Sequence, residues 1–101
     1  MTTDTPADTT WQLRLYVAGE APVSLTAFAN LRSFCASHLT EPYRIEIVDL
    51  LVTPELARED EIIAIPTLVR RSPDPVCSVI GDLSDTARVL AGLRLPAMVS
   101  P

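Results

Sequence analysis

From Trp11 to Ala18 apolar and polar residues alternate, with Leu13, Leu15 and Val17 on one side and Gln12, Arg14 and Tyr16 on the other. A period of two predicts a strand covered on one face. Gly19-Glu20-Ala21-Pro22 breaks the pattern, and Ser24 reads as the N-cap of a helix. The period then changes: Phe28, Leu31, Phe34, Cys35 and Leu39 recur at steps of three and four, which predicts an amphipathic helix over Leu25 to His38. Glu41-Pro42 ends it. Alternation returns from Tyr43 to Asp49, with Tyr43, Ile45 and Ile47 opposed to Arg44 and Glu46. A helical crossover of that length makes the two strands parallel.

The second half is marked more by punctuation than by period. Thr53-Pro54-Glu55 reads as N-cap, first-turn proline and an acid near the positive end of the helix dipole. It predicts a short helix to about Glu61. A strand over Pro66 to Arg71 would begin on its proline, an allowed position. Ser72-Pro73-Asp74-Pro75 turns the chain into a second short strand, Val76 to Ile80. After Gly81-Asp82-Leu83, Ser84 caps a last helix to Leu95 with Val89, Leu90 and Leu93 as its core stripe, and Pro96 stops it. Glu61-Ile62-Ile63-Ala64-Ile65 suits a strand, a helix end or a loop, and the pattern does not choose among them.

The element order is therefore β-α-β-α-β-β-α, an α/β fold in one domain over 11–95. Residues 1–10 are expected to be a disordered polar lead and 96–101 a loose tail. This order is thioredoxin-like, with the Ile65-Pro66-Thr67 proline opening the third strand. That proline faces the start of the first helix, where a redox protein carries Cys-x-x-Cys. Here the place is taken by Gly19 to Ser24, without a cysteine. Disulfide exchange needs an attacking thiolate and a resolving thiol, so that chemistry is excluded there.

Other chemistry is equally sparse. Cys35 and Cys77 are expected to behave as buried apolar residues, unpaired. A thioredoxin-like enzyme using either as a lone reactive thiol is an alternative that thiol labelling would test. His38 is the sole histidine, and a metal site needs three or four ligands, so neither metal nor cofactor is expected. Glu59, Asp60 and Glu61 beside Arg58 could form a carboxylate pair, but a solvated helix end is the expectation. The three glycines are scattered and make no phosphate loop. A net charge of −5, with every basic side chain an arginine, argues against nucleic acid. No apolar run spans a bilayer and the start is unlike a signal peptide, so the cytoplasm is the expected location. These observations predict a binding module without catalytic residues.

Three blocks carry a more specific signal: LRLYVAGEAPVS at 13–24, VDLLVTPELAREDEIIAIPTL at 48–68 and VIGDLSD at 79–85. Together they resemble the KaiB family of the cyanobacterial circadian clock, over about Leu13 to Leu95. The resemblance implies a non-enzymatic regulator that docks on the ATPase ring of KaiC, sequesters KaiA and displaces a sensor histidine kinase. A stress-response role outside a clock is the alternative. It also implies two folds: a tetramer of order βαββααβ, for which a dimer is also possible, and a thioredoxin-like monomer that binds the ring through an edge strand and its second and third helices. The family-matched positions are Tyr16, Gly19, Asp49, Leu56, Pro66, Gly81, Asp82 and Ser84, as scaffold or partner contacts.

Departures from the family pattern are mostly electrostatic. Thr26, Ala29 and Asn30 stand in a region of the first helix that is usually basic. Cys77-Ser78 replace an arginine pair, and Glu61 replaces a lysine. They point to a divergent KaiC paralogue as partner. Near the C-terminus, Gly92 is kept while Arg94 replaces an acid. A cation near a helix C-terminus is favourable by ~0.3–1 kcal/mol. The thioredoxin-like state is therefore the expected resting form.

Overall fold

In the computed structural model, which describes residues 10–95, the first strand and helix form where their periods put them. β1 spans Trp11–Val17, α1 Pro22–His38, β2 Tyr43–Asp49, β3 Thr67–Ser72, β4 Cys77–Ile80 and α2 Thr86–Gly92, with a 3-10 helix at Pro54–Arg58. Of the expected lead over 1–10 only Thr10 is described, and the expected tail over 96–101 lies outside the described residues. The sheet order is β2-β1-β3-β4; β1 and β2 are parallel, and β3 is antiparallel to both β1 and β4. This is the thioredoxin-like order; the βαββααβ alternative is not the arrangement present.

The alternation along β1 decides what covers each face. Trp11, Leu13, Leu15 and Val17 pack with Ala27, Leu31, Phe34 and Cys35 of α1 and with Leu68, Val79, Val89 and Leu93. The other face buries Tyr16, Val48 and Val69 beneath Leu50, Leu56 and Ile62. We call the connection 50–62, which contains the 3-10 helix, the strap.

Four local expectations need correction. Ser24 does not cap α1: the helix begins earlier, with Pro22 in its first turn, Ala21 as N-cap and no side-chain cap. Ser24 Oγ instead accepts from the Ala18 amide. Thr53 makes no capping bond either; its hydroxyl donates to Asp49 O, and the predicted short helix is a single 3-10 stretch. Ser84 is replaced as cap of the last helix by Asp85, whose carboxylate accepts from Arg88 N.

That last helix also stops at Gly92, short of Leu95. Arg94 N bonds Ala91 O and Leu95 N bonds Leu90 O, with Arg94 at φ 58°. This is a Schellman stop with an arginine at the left-handed position that usually takes glycine. Gly92 has a packing reason as well: a Cβ there would collide with Val79 Cγ2. The helix lies so close to β4 that only glycine fits.

Candidate functional site

The C-terminal ends of the parallel strands β1 and β2 lie beside the start of β3 and the end of β4. This end of the sheet is built by backbone hydrogen bonds to a few side chains. Gly19, at φ 61°, turns the chain from β1 into α1, and its amide donates to Asp49 Oδ1 at 2.9 Å. The same oxygen accepts from Leu51 N, so one carboxylate ties the β1–α1 turn to the end of β2. The Ile65-Pro66 bond is cis, and Pro66 O accepts from Gly81 N at 2.9 Å. Gly81 has φ 123°, where a side chain would be strained. The Ser84 hydroxyl, and then the Ser84 amide that donates to Asp82 Oδ1, hold the Asp82 carboxyl below the usual range, and Asp82 O accepts from Asn30 Nδ2.

Gly19, Asp49, Pro66, Gly81, Asp82 and Ser84 thus meet at one end, where these bonds give most of them scaffold work. Around them stand exposed apolar side chains. Val23 and Leu25 lie in the first turn of α1, Leu51 and Val52 follow β2, Ile63 and Ile65 precede β3, and Ile80 ends β4. Leu51 and Val52 are 73% exposed and Ile63 is 89% exposed. Apolar groups gathered at one end of a small domain make this end the candidate interaction surface. The segment from Glu61 to Ile65, which the pattern left open, is an irregular loop that contributes two of them.

Tyr16 and Leu56 belong to a second arrangement, under the strap. The Tyr16 hydroxyl lies 2.6 Å from Asp60 Oδ2 and 3.2 Å from Leu56 O, and it accepts from Arg14 Nη1 at 3.0 Å. Its one hydrogen goes to the nearer, charged acceptor. Arg14 also donates to Glu46 and Glu59, each at 2.9 Å. Arg71 approaches Glu59 and Asp60 from β3 at 3.4 and 3.8 Å. It is the extra residue where β3 bulges opposite Gln12 and Leu13, and a bulge re-aims its side chain. Burial raises the Tyr16 pKa, helped by Asp60. For Arg14 burial opposes the charge, but hydrogen bonds to Tyr16, Glu59 and Glu46 outweigh it and raise the pKa. Arg14 in turn holds Glu59 below the usual carboxylate range.

The expectation of a solvated acidic helix end is corrected for Asp60 alone, whose side chain is only 7% exposed between two arginines and a tyrosine, while Glu59 and Glu61 are exposed. The signal was present, since β1 alternation puts Arg14 on Tyr16's face. What sequence could not supply was that the strap crosses that face. Arg70 was missed as well. It is buried, stacks 4.4 Å from the Trp11 ring, and donates to the carbonyls of Pro73, Asp74 and Leu93, so it anchors the end of α2 to the β3–β4 turn. Arg94 lies near this opposite end, whereas Gly92 packs against Val79, beside Ile80 of the apolar group.

Cys35 is buried and its thiol is pushed up to about 11 by burial; Cys77 is only half-buried, against the expectation, and its thiol donates to Pro75 O. Both are free. His38 stacks on Phe34 at the end of α1, and no described group of His, Cys, Asp and Glu could hold a metal ion. No described helix is long and apolar enough to cross a membrane.

These features define a thioredoxin-fold protein whose redox position carries an apolar surface in place of thiols. The KaiB domain profile matches residues 14–95. KaiB of Synechococcus sp. strain RCC307, described as a circadian clock oscillator protein, is 46% identical over 86 residues, covering 85% of this chain and 78% of that one. The Nostoc punctiforme protein of the same description is 45% identical over 89 residues, covering 88% and 86%. The chain belongs to the KaiB family. Among solved structures, the N-terminal domain of Synechococcus elongatus SasA superposes with a TM-score of 0.76 at 18% identity, over 99% of this chain and 98% of that one. Mitochondrial thioredoxin 3 of Saccharomyces cerevisiae reaches 0.64 at 18% identity, over 83% and 76%. Both likenesses concern the fold alone.

Proposed function

We propose that this chain is a non-enzymatic regulatory subunit that binds a KaiC-family ATPase ring and modulates its signalling in a circadian or other timing circuit. The observation that carries the reading is the set of exposed apolar side chains at the end of the sheet where a thioredoxin would hold its thiols. A turn network tied by Asp49 presents them, and no described group of His, Cys, Asp and Glu could hold a metal ion. Membership of the KaiB family supports a clock-type regulatory setting, and the ATPase ring as partner is what the resemblance implies. The family-matched residues at that end act in this reading as the frame of the docking surface. The electrostatic departures at Thr26, Glu61 and Cys77 favour a divergent KaiC paralogue, and a histidine kinase competing for the same ring is the natural downstream element. The binding form is the thioredoxin-like monomer.

The test is size-exclusion chromatography and light scattering of the purified chain with a KaiC-family ATPase from the same organism, with ATP and with ADP. Co-elution as a ring-sized complex and a changed ATPase rate are expected. Separate elution under both nucleotides, with the rate unmoved, would remove the reading.

A further inference from the structure

We propose that the apolar end is built for a partner face that is apolar at its centre and basic around it. This rests on the docking reading for its setting and adds the chemistry of the partner. Leu51, Val52, Ile63 and Ile65 supply the apolar centre, all exposed and all flanking the turn network fixed by Asp49 and Pro66.

The charges at this end are mostly of one sign. Glu20 stands exposed in the β1–α1 turn and Glu55 at the start of the 3-10 helix, while Asp82 and Asp85 follow β4. Asp49 faces inward and takes two amides. Arg88 is the cation that lines the hollow formed by Gly81 to Asp85. The hydrogen bonds from Ser84 keep Asp82 ionised. A rim of carboxylates repels an acidic partner and steers a basic one, because encounter rate and partner choice follow complementarity of potential. Affinity then comes from the apolar anchors at the centre, shielded from water by that rim. A second copy of the chain fits poorly, since it would set Glu20 and Glu55 against the same acidic rim.

The test is a chemical-shift titration of the full-length, isotope-labelled protein with two amphipathic leucine peptides of identical apolar spacing. The polar face is lysine in one and glutamate in the other. The lysine peptide is expected to shift the amides of Leu51, Val52, Ile63 and Ile65. It should bind about tenfold tighter than the glutamate peptide, a difference of about 1.4 kcal/mol, and weaken as salt rises. Val52→Asp and Ile63→Asp, both at exposed positions, should abolish the shifts without changing the rest of the spectrum. Equal binding of the two peptides, shifts elsewhere only, or self-association through these residues would overturn the proposal. The two readings fail separately. An ATPase that does not bind while the lysine peptide maps to this end removes only the proposed ring-binding function. An ATPase whose binding is unmoved by Val52→Asp and by Glu55→Lys removes only this proposal.

Discussion

The two faces of the sheet are held by different physics, although the same strand supplies both. On one side β1 contributes Trp11, Leu13, Leu15 and Val17 to a closed apolar core with α1 and α2. On the other it contributes Tyr16 to a small cluster and Arg14 to an ionic group, both under a strap with one short 3-10 helix. The first face resists change through close packing, where every methylene counts. The second is secured by a smaller apolar cluster and a few polar contacts, and is therefore the face expected to open first. Close packing and polar tethering are thus divided here between odd and even positions of one strand.

The largest effect should fall on the packed face. Leu31→Ala removes a fully buried side chain from α1 and should cost about 2–5 kcal/mol, read as a lower urea midpoint. A loss no larger than that of a strap variant would break the comparison. Gly92→Ala sharpens it, because two principles disagree on the sign. Helix propensity favours alanine by ~1 kcal/mol, but the clash with Val79 should cost about 1–3 kcal/mol. Net destabilisation is expected, with Val79→Ala in the same chain relieving it in a double-mutant cycle.

On the strapped face, Asp60→Ala leaves the Tyr16 hydroxyl and two guanidiniums short of a partner. It should cost about 1–3 kcal/mol. Hydrogen exchange should locate the loss: amides of 50–62 exchange faster while those of α1 keep their protection. Uniform loss across both would show that the faces are one cooperative unit. A smaller effect of opposite sign is expected at Arg94→Gly. It relieves a left-handed residue worth ~1–2 kcal/mol, and should raise the melting temperature by about 4–8 °C per kcal/mol gained.

How much of this was legible in the sequence obeys the same division. The packed face announced itself, since Leu13, Leu15 and Val17 at period two and Leu31, Phe34 and Cys35 at helical spacing are core wherever the elements form. The apolar end was half legible: Gly19, Pro66 and Gly81 mark turns, but only the topology places Leu51, Ile63 and Ile65 together. The strap was not legible. Glu59 and Asp60 look like any acidic helix end until Arg14, 45 residues from Glu59, is brought over them by the fold. Capping was misassigned for a local reason. Ser24, Thr53 and Ser84 all have the right chemistry for a cap, but Pro22, the 3-10 geometry and Asp85 took the positions first. The helix stop at Arg94 was hidden because arginine is an unusual residue for that conformation.

The finest test of the divided sheet is its pH dependence. Glu59 has its folded pKa lowered by Arg14, so its contribution is present above the unfolded value of about 4.3 and is lost as pH falls through the folded pKa. Tyr16 has its folded pKa raised by burial and by Asp60, so its contribution is present below about 10 and is lost as pH rises through the raised value. The strap should therefore be tightest between these limits and loosen at both, with Leu56 and Ile62 methyl resonances reporting it while Leu31 and Val89 stay unchanged. Glu59→Gln should flatten the acid arm and leave the alkaline arm in place. The effect is small because Glu59 and Arg71 are partly exposed and salt screens them. If the acid arm survives Glu59→Gln, Glu59 is not what holds the strap, and Asp60 or the apolar contacts of Leu50, Leu56 and Ile62 must carry it.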